Sequence, residues 1–302
     1  MQMIFCDLFA GTGIVGRSFK TSVKEIISND LEYYAYVINR HTIGNNEPIA
    51  DGQYFIETLN RLPLERKGFI YTNYCPGGGR MYFSDHNGKK IDAIRKWIEW
   101  LKRIGIDDDL YFFLLASLIE SADVVSNTTA LYTAYLKQLI PDAQKSFILE
   151  PAHFETTKNT HQVYNENAND LIRKISGDIL YLDPPYTARQ YGGDYHLLGT
   201  IARYNHFIPS GITGRCDYIR SAWASRKTAE DQLDDLLKHT QFKYIFMSYS
   251  NEGLMPPATI KSTMSKYGKY DVAETEYKRF KSSAGVHQAN TTTEFIHILE
   301  KP

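Results

Sequence analysis

The sequence predicts an α/β fold in which a doubly wound sheet is interrupted by a mostly helical insertion. Near the start of the chain, an apolar strand over 3–8 leads into a glycine-rich turn over 11–16. A short helix to Lys20 and a second strand over 25–28 follow. Strand, turn, helix and strand in this order open a doubly wound sheet. The strand pattern then fades and resumes only late in the chain, which indicates an insertion.

The later elements complete this organisation. A second helix is predicted over 31–40, and the insertion contains helical patterns over 92–103, 107–125 and 128–139. Acidic residues at 107–109 suit a helix start because they face the positive end of the helix dipole. The late predicted strands are 161–164, 179–182, 244–247 and 295–299. We therefore expect an α/β domain formed by 1–50 and 145–302, with 51–144 as the helical insertion.

Composition excludes several classes of protein. The net charge of −1 gives no bulk signal for a nucleic-acid partner, so such a partner would have to meet local basic surface. The three cysteines, Cys6, Cys75 and Cys216, are too sparse for a disulfide framework and fit a reducing, cytoplasmic compartment. No signal peptide is evident, and no apolar run approaches the roughly 18 residues of a membrane span. The histidines show no metal-ligand spacing, so no metal site is expected.

The first candidate site is the glycine turn after the first strand. Gly11 and Gly13 allow the backbone to turn tightly and to approach a ligand closely, which suits a nucleotide-like cofactor at the carboxyl end of a strand. Gly16 completes the dinucleotide spacing, but the Asp7 carboxylate inside the motif would repel a pyrophosphate. S-adenosylmethionine, which carries an ammonium and a sulfonium group, fits this acidic turn better.

A second acidic residue, Asp30, stands at the end of the second predicted strand. A carboxylate in this position accepts hydrogen bonds from the ribose hydroxyls of a nucleotide-like cofactor. The alternative is that Asp30 only caps the helix predicted from Leu31.

The sharpest feature is Asp183-Pro184-Pro185-Tyr186, which follows an apolar strand. The two prolines fix the backbone and remove two N–H donors, which leaves carbonyl acceptors beside a carboxylate and an aromatic ring. The Asp183 carboxylate and the Pro184 carbonyl would hold the two hydrogens of an exocyclic amine and aim its lone pair at a methyl group. Tyr186 would stack on the base, which must be flipped out of a duplex. The alternative is a simple bend after a strand.

These two motifs, in this order, resemble those of the Dam-like class of adenine-N6 DNA methyltransferases of restriction–modification systems. Further similar segments are 163–168, 189–191, 195–198 and 248–253. The resemblance implies a class I S-adenosylmethionine-dependent methyltransferase (Rossmann-like) sheet and site-specific methylation of adenine N6 in double-stranded DNA. It implies that 51–144 is a target-recognition lobe and that a cognate restriction endonuclease exists. The cofactor contacts it implies are Asp7, Phe9, Gly11, Gly13, Asp30 and Asn167, the last in a position that is usually acidic.

One departure from the family concerns the segment ahead of the glycine turn. Members commonly have a helix-forming segment there, with a Gly-Lys element that helps to hold the methionine end of the cofactor. The present chain starts almost on its first strand. Two expectations follow: a chain truncated at its start, or a partner subunit that supplies the segment. The alternative function is therefore a methyltransferase-like DNA-binding subunit that needs a partner for activity.

Other acceptors and other chemistries were compared with the same motifs. The same reaction on RNA stays open. Cytosine-N4 enzymes more often carry serine at the position of Asp183 and protein glutamine methyltransferases carry asparagine, so adenine is favoured. Cys75-Pro76 reverses the Pro-Cys order of cytosine-C5 enzymes, so their nucleophilic cysteine is not evident. A nicotinamide-dependent oxidoreductase is disfavoured by Asp7.

Two basic stretches are candidates for contacts with DNA phosphates, namely 80–103 and 189–227. The second follows the catalytic tetrapeptide directly and is the favoured DNA clamp. The alternative for each residue is an ordinary solvated face. The predicted clamp consists of Arg189, Arg203, Arg215, Arg220, Arg226 and Lys227.

Overall fold

The computed structural model describes residues 3–129, 131–278 and 291–302, and the chain divides into two compact units. The first, which we call the sheet unit, comprises Met1–Leu31, Asn159–Gln190 and Arg220–Pro302. The second, which we call the helical unit, comprises Glu32–Lys158 and Tyr191–Ile219.

The sheet unit is built on seven strands in the order β3-β2-β1-β4-β5-β7-β6. The strands are β1 Ile4–Asp7, β2 Glu25–Asn29, β3 Gln162–Tyr164, β4 Ser176–Leu182, β5 Gln241–Ser250, β6 Lys269–Lys278 and β7 Thr291–Glu300. The first five pair in parallel, whereas β7 runs antiparallel between β5 and β6. This order confirms the predicted α/β sheet of the class I methyltransferase type.

Apolar side chains of the strands and of the surrounding helices pack together into one buried core. The helices of this unit are α1 Ile14–Ser18, α8 Ala168–Leu171, α11 Ala229–His239 and α12 Pro257–Met264. Leu180 on β4 and Ile245 on β5 are fully buried in the same cluster as Leu233 and Leu237 of α11. β1 is buried over 5–7, and β4 buries Leu180 and Leu182, which is why both strands are recognisable as apolar runs in the sequence.

The helical unit is centred on a long buried helix. Its helices are α2 Tyr33–Asn39, α3 Gly52–Asn60, α4 Phe69–Tyr74, α5 Asp85–Arg103, α6 Asp108–Val124, α7 Pro141–Gln144, α9 Tyr191–Asp194 and α10 His196–Arg203. In α6 every residue from Leu110 to Ile119 is buried, because α2, α3, α5 and α10 surround it. The Asp107 carboxylate caps α6 by accepting from the Asp109 amide at 2.8 Å, as the acidic start predicted.

Two sequence expectations for this unit need correction. Its bounds exceed the predicted insertion 51–144, since it starts at Glu32 and includes 191–219. The helix predicted over 128–139 is wrong, because the described residues there form turns and extended chain. The Asn127 side chain organises them instead, donating to the carbonyls of Met81 and Leu136 at 2.8 Å each.

Across the described residues, no helix has both the length and the apolar composition needed to cross a bilayer.

Candidate active site

The sheet register brings the predicted acidic residues of the sheet unit to one edge. Asp7 at the end of β1 pairs with Ser28 of β2 and with Tyr181 of β4. Asp30 and Asp183 each follow the last residue of their strand. The carboxyl ends of neighbouring parallel strands form the ligand-binding edge of open α/β sheets.

The glycine turn is shaped around the carboxylate of Asp7. This side chain is 1% exposed, and its Oδ2 accepts a hydrogen bond from the Gly16 amide at 2.9 Å. Gly11 and Gly13 have φ values of 53° and 76°, the left-handed conformation that glycine adopts without strain. Burial raises the pKa of Asp7 to about 7, against the Gly16 hydrogen bond and together with the nearby carboxylates of Asp183 and Asp30.

Asp7 also presents an unsatisfied acceptor. Its Oδ1 is buried and has no hydrogen-bond partner among the described residues. Burying a carboxylate oxygen without a partner is costly, so this atom indicates a missing donor.

Asp30 holds the other side of the turn. Its Oδ2 accepts from the Gly11 amide at 2.8 Å, and its backbone carbonyl accepts from the Asn165 side chain at 2.7 Å. The helix α2 begins only at Tyr33, with Glu32 in the N-cap position. Glu32, and not Asp30, therefore occupies the N-cap position of α2.

The remaining two predicted cofactor residues, Phe9 and Asn167, are linked through Trp223 and Asn169. The Phe9 ring meets Trp223 edge to face with centroids 5.1 Å apart, and the Trp223 indole donates to Asn169 at 3.0 Å. Asn167 caps α8, since its Oδ1 accepts from the Asn169 amide at 2.9 Å. The sequence had not predicted this structural role for Asn167.

The tetrapeptide Asp183–Tyr186 forms a loop that is fixed from behind. The Leu254 amide donates to the Tyr186 carbonyl at 2.9 Å, and the Tyr186 ring lies edge to face on buried Tyr249 with centroids 6.3 Å apart. Pro184 is buried. Gly253 must lack a side chain, because a Cβ there would lie 2.1 Å from the Tyr249 ring.

Asp183 combines access to solvent with close protein surroundings. The residue is exposed, as a reacting group needs to be, yet the atoms around its carboxyl group desolvate it. This desolvation, together with the negative charge of Glu294, raises the pKa of Asp183 to about 6.

Sequence reasoning missed Glu294 on β7. Its partner across the ladder is Ser250 on β5, and its charge acts on both Asp183 and Tyr186. The signal that would have identified it is the strand register, which a single sequence does not provide. The edge thus presents four carboxylates: Asp30, Asp7, Asp183 and Glu294.

Comparison with known proteins decides between the chemistries that such an edge supports. The family model of D12 class N6 adenine-specific DNA methyltransferases matches residues 2–278. The chain belongs to this family. It is 53% identical over 304 residues to the Type II methyltransferase M.NlaIII of Neisseria lactamica, covering 99% of the chain and 91% of that protein. The predicted resemblance to adenine-N6 methyltransferases is thereby confirmed.

The chain covers different shares of two further relatives. The Type II methyltransferase M.CviAII of Paramecium bursaria Chlorella virus 1 is 39% identical, over 98% of the chain and 89% of that protein. The Type II methyltransferase M.FokI of Planomicrobium okeanokoites is 34% identical over 99% of the chain, which spans only 48% of that protein.

In this methyltransferase, the six predicted clamp residues fall into both units. Arg189, Arg220, Arg226 and Lys227 are exposed in the sheet unit. Arg226 lies near Tyr249, whose pKa is raised by burial and lowered in part by the Arg226 charge. Arg203 and Arg215 belong to the helical unit, where Arg203 lies over the Tyr33 ring at 4.5 Å.

Part of the other basic stretch, 80–103, is structural. Arg95 is 1% exposed and donates to the carbonyls of Ile201 and Ala202 at 2.9 and 3.0 Å, which caps the end of α10. Lys90 is buried and donates to two carbonyls of the 60–62 segment at 2.8 Å each. These two side chains are therefore unavailable to DNA phosphates.

The helical unit contains a cavity of about 410 Å³ between one face of α5 and the residues that follow α10. Trp100, Arg103 and Arg203 are among its lining residues. None of the predicted catalytic or cofactor residues lines it, so we assign the chemistry to the sheet edge.

Proposed function

We propose that this chain transfers the methyl group of S-adenosylmethionine to the N6 amine of a flipped adenine at a specific site in double-stranded DNA. The observation that carries this proposal is the sheet edge on which Asp7, Asp30 and Asp183 lie at the carboxyl ends of three neighbouring strands. Membership of the adenine-specific family supports the choice of acceptor.

The cofactor role rests on the fit of the glycine turn. S-adenosylmethionine supplies an activated methyl group and an ammonium group. The buried Asp7 Oδ1, which lacks a partner among the described residues, suits that ammonium. Space for a ligand exists at Gly11, where an added Cβ would meet no atom within 4 Å. Asp30 would accept hydrogen bonds from the ribose hydroxyls of the cofactor, while Phe9 and Asn167 would contact the cofactor's own adenine ring.

The catalytic role of Asp183 follows from the chemistry of the amine. The N6 lone pair is delocalised into the adenine ring, so the free amine is a poor nucleophile. The Asp183 carboxylate and the Pro184 carbonyl would accept the two N6 hydrogens and turn the lone pair toward the methyl carbon. The N6–carbon bond forms as the methyl group leaves its sulfur, and the nitrogen then loses one proton. Holding the reactants in line supplies a large part of the acceleration.

Tyr186 and the prolines would prepare the pocket for the base. Pro184 and Pro185 keep the loop rigid, and Tyr186 would stack on the extrahelical adenine. Flipping the base costs a few kcal/mol, which contacts with the pocket must offset.

The remaining roles concern DNA and partners. Arg189, Arg220, Arg226 and Lys227, with Arg203 and Arg215 of the helical unit, would neutralise phosphates beside the target. The segment 51–144 would read the target sequence. We expect the enzyme to act in the cytoplasm beside a cognate restriction endonuclease.

The test is a panel of methyl acceptors. Purified chain and tritiated S-adenosylmethionine are incubated with mixed-sequence duplex DNA, RNA and protein, and the labelled product is digested and identified. The proposal requires N6-methyldeoxyadenosine from duplex DNA. Label that appears mainly in RNA or protein would contradict it, and so would label on cytosine.

A further inference from the structure

The strand β7 reaches the active edge of the sheet with its first half. It runs antiparallel to β5, so its early residues lie beside the carboxyl end of β5. Glu294 lies opposite Ser250, the last residue of that strand, and Ile296 lies opposite Ser248. A carboxylate is thus delivered to the catalytic edge from a strand that contributes none of the predicted motifs.

The register also defines the face on which Glu294 lies. Directly paired residues share a face, and residues two apart on a strand share it too. Glu294 and Ser250 therefore share the face of Phe246, which pairs with Tyr181, which in turn pairs with Asp7. Glu294 and Asp7 therefore lie on one face of the sheet, and Asp183 follows directly after the last residue of β4 at the same edge.

Glu294 is half-buried, and its negative charge acts on Asp183 and Tyr186. Burial is the largest cause of the raised pKa values of Asp183 and Tyr186, and the Glu294 charge adds to both shifts. Burial likewise dominates the raised pKa values of Asp7 and Tyr181, to which the Asp183 charge adds. Burial raises the pKa of Glu294 itself, and a hydrogen bond from Ser250 opposes this shift.

We propose that Glu294 is a positioning residue whose negative charge strengthens the Asp183 carboxylate as the acceptor of the proton that adenine N6 loses on methylation. This inference rests on the proposed function. The N6–H bond breaks, its electron pair stays on nitrogen, and the proton moves to an Asp183 oxygen and then to solvent. An ordinary exposed carboxylate, with a pKa of about 4, is a weak base at neutral pH. Close negative charge makes it a stronger one.

The pH dependence of this step involves the titratable groups that the structure describes at the catalytic end of that face. They include Asp7 from β1, Asp30 after β2, Tyr181 from β4, Asp183 and Tyr186 in the loop, and Glu294 from β7. Replacing Glu294 by glutamine removes one negative charge and keeps the shape of the side chain. The Asp183 carboxyl should then titrate at lower pH and bind the N6 proton less strongly.

The kinetic experiment compares Glu294→Gln, Glu294→Asp and Glu300→Gln in single-turnover methylation of duplex DNA between pH 5 and 9. Glu300 is a matched control, because it lies on the same strand and face at the opposite end, near Lys243. We expect Glu294→Gln to slow methylation at pH 7 by about tenfold. It should also move the acid limb of the pH–rate profile, where the rate falls with falling pH, to lower pH. Glu294→Asp should restore the position of that limb, and Glu300→Gln should match the unmodified chain. An acid limb unmoved in Glu294→Gln would overturn the proposal.

A second measurement does not depend on methylation. Carbon-13 NMR of the aspartate carboxyl groups, with Asp183→Asn for assignment, reports the Asp183 titration in the protein alone. A lower pKa in Glu294→Gln supports the coupling, and an unchanged pKa refutes it even if the rate falls. Failure of the unmodified chain to methylate any acceptor would instead refute the proposed function, whatever the titration shows.

Discussion

The Gly11 amide donates to the Asp30 carboxylate at 2.8 Å, which ties the turn after β1 to the acid after β2. The Gly16 amide donates to Asp7 in the same way at 2.9 Å. Both proposed cofactor acids therefore also build the loop that would hold the cofactor. Charge and shape at this site have to be separated by isosteric substitutions.

The affinity for S-adenosylmethionine should depend on pH through Asp7. The pKa of Asp7 is about 7, so its negative charge develops as the pH rises from 6 to 8. The affinity should rise over this range and fall by up to about tenfold per pH unit below it. Calorimetric titrations of the unmodified chain and of Asp7→Asn measure this, and the variant should bind weakly at every pH. A pH-independent affinity in the unmodified chain would show that Asp7 does not hold the ammonium.

The same carboxylate should lower the stability of the ligand-free protein. Because the folded-state pKa is raised, the Asp7 contribution to stability is present below its unfolded pKa of about 4 and is lost as pH rises through about 7. Asp7→Asn retains an oxygen for the Gly16 amide and removes the buried charge. It should raise the free energy of unfolding at pH 8 by roughly 1–3 kcal/mol, measured in urea. No gain at pH 8 would show that the carboxylate is stabilised by other contacts.

Acid should destabilise the sheet unit through His161. Its Nδ1 accepts from the Ile26 amide at 3.0 Å, which requires an unprotonated nitrogen, and burial lowers its pKa to about 4 with help from the Lys20 charge. Because the pKa of His161 is lowered on folding, its contribution to stability is fully present above the pKa of the unfolded chain, about 6.5. That contribution is lost as the pH falls toward 4. The loss should reach at most about 3 kcal/mol. His161→Gln should flatten this part of the stability curve, and an equally steep loss in that variant would point to another group.

Arg95 and Lys227 should respond differently to loss of charge. Arg95→Met removes the buried guanidinium that caps α10 and should cost about 2–4 kcal/mol of stability, with the salt dependence of DNA binding unchanged. Lys227→Gln should leave stability within about 0.5 kcal/mol and reduce the logarithmic salt slope of DNA binding by about 1. Urea unfolding and salt-dependent binding assays check the pair. An unchanged slope in Lys227→Gln would remove Lys227 from the DNA contact.

The elements that could be predicted are those in which the spacing of apolar residues reflects which side chains are buried. Strands such as β1 and β4 are recognisable because they bury apolar side chains, and Asp107 marks a helix start that the structure confirms. The edge strand β6 was missed because it is exposed and rich in charged residues, which are uncommon in strands. The helix predicted over 128–139 failed because side-chain hydrogen bonds from Asn127 stabilise turns there.

The candidate site was predicted where local motifs carry it. Asp7, Asp30 and Asp183 each lie at the carboxyl end of a recognisable strand, and the sheet brings them to one edge. Glu294 was missed because its place depends on the pairing of β7 with β5, between residues 44 positions apart in the chain. The division of the basic residues between the two units likewise depends on long-range contacts.

The proposed reaction places Asp183 in the chemical step at adenine N6. Single-turnover transfer to duplex DNA is measured for the unmodified chain and for Asp183→Asn, with S-adenosylmethionine binding measured in parallel. We expect Asp183→Asn to bind the cofactor within about threefold of the unmodified chain and to form N6-methyldeoxyadenosine at least about 100-fold more slowly. Methylation by Asp183→Asn at a rate close to that of the unmodified chain would contradict this role of Asp183.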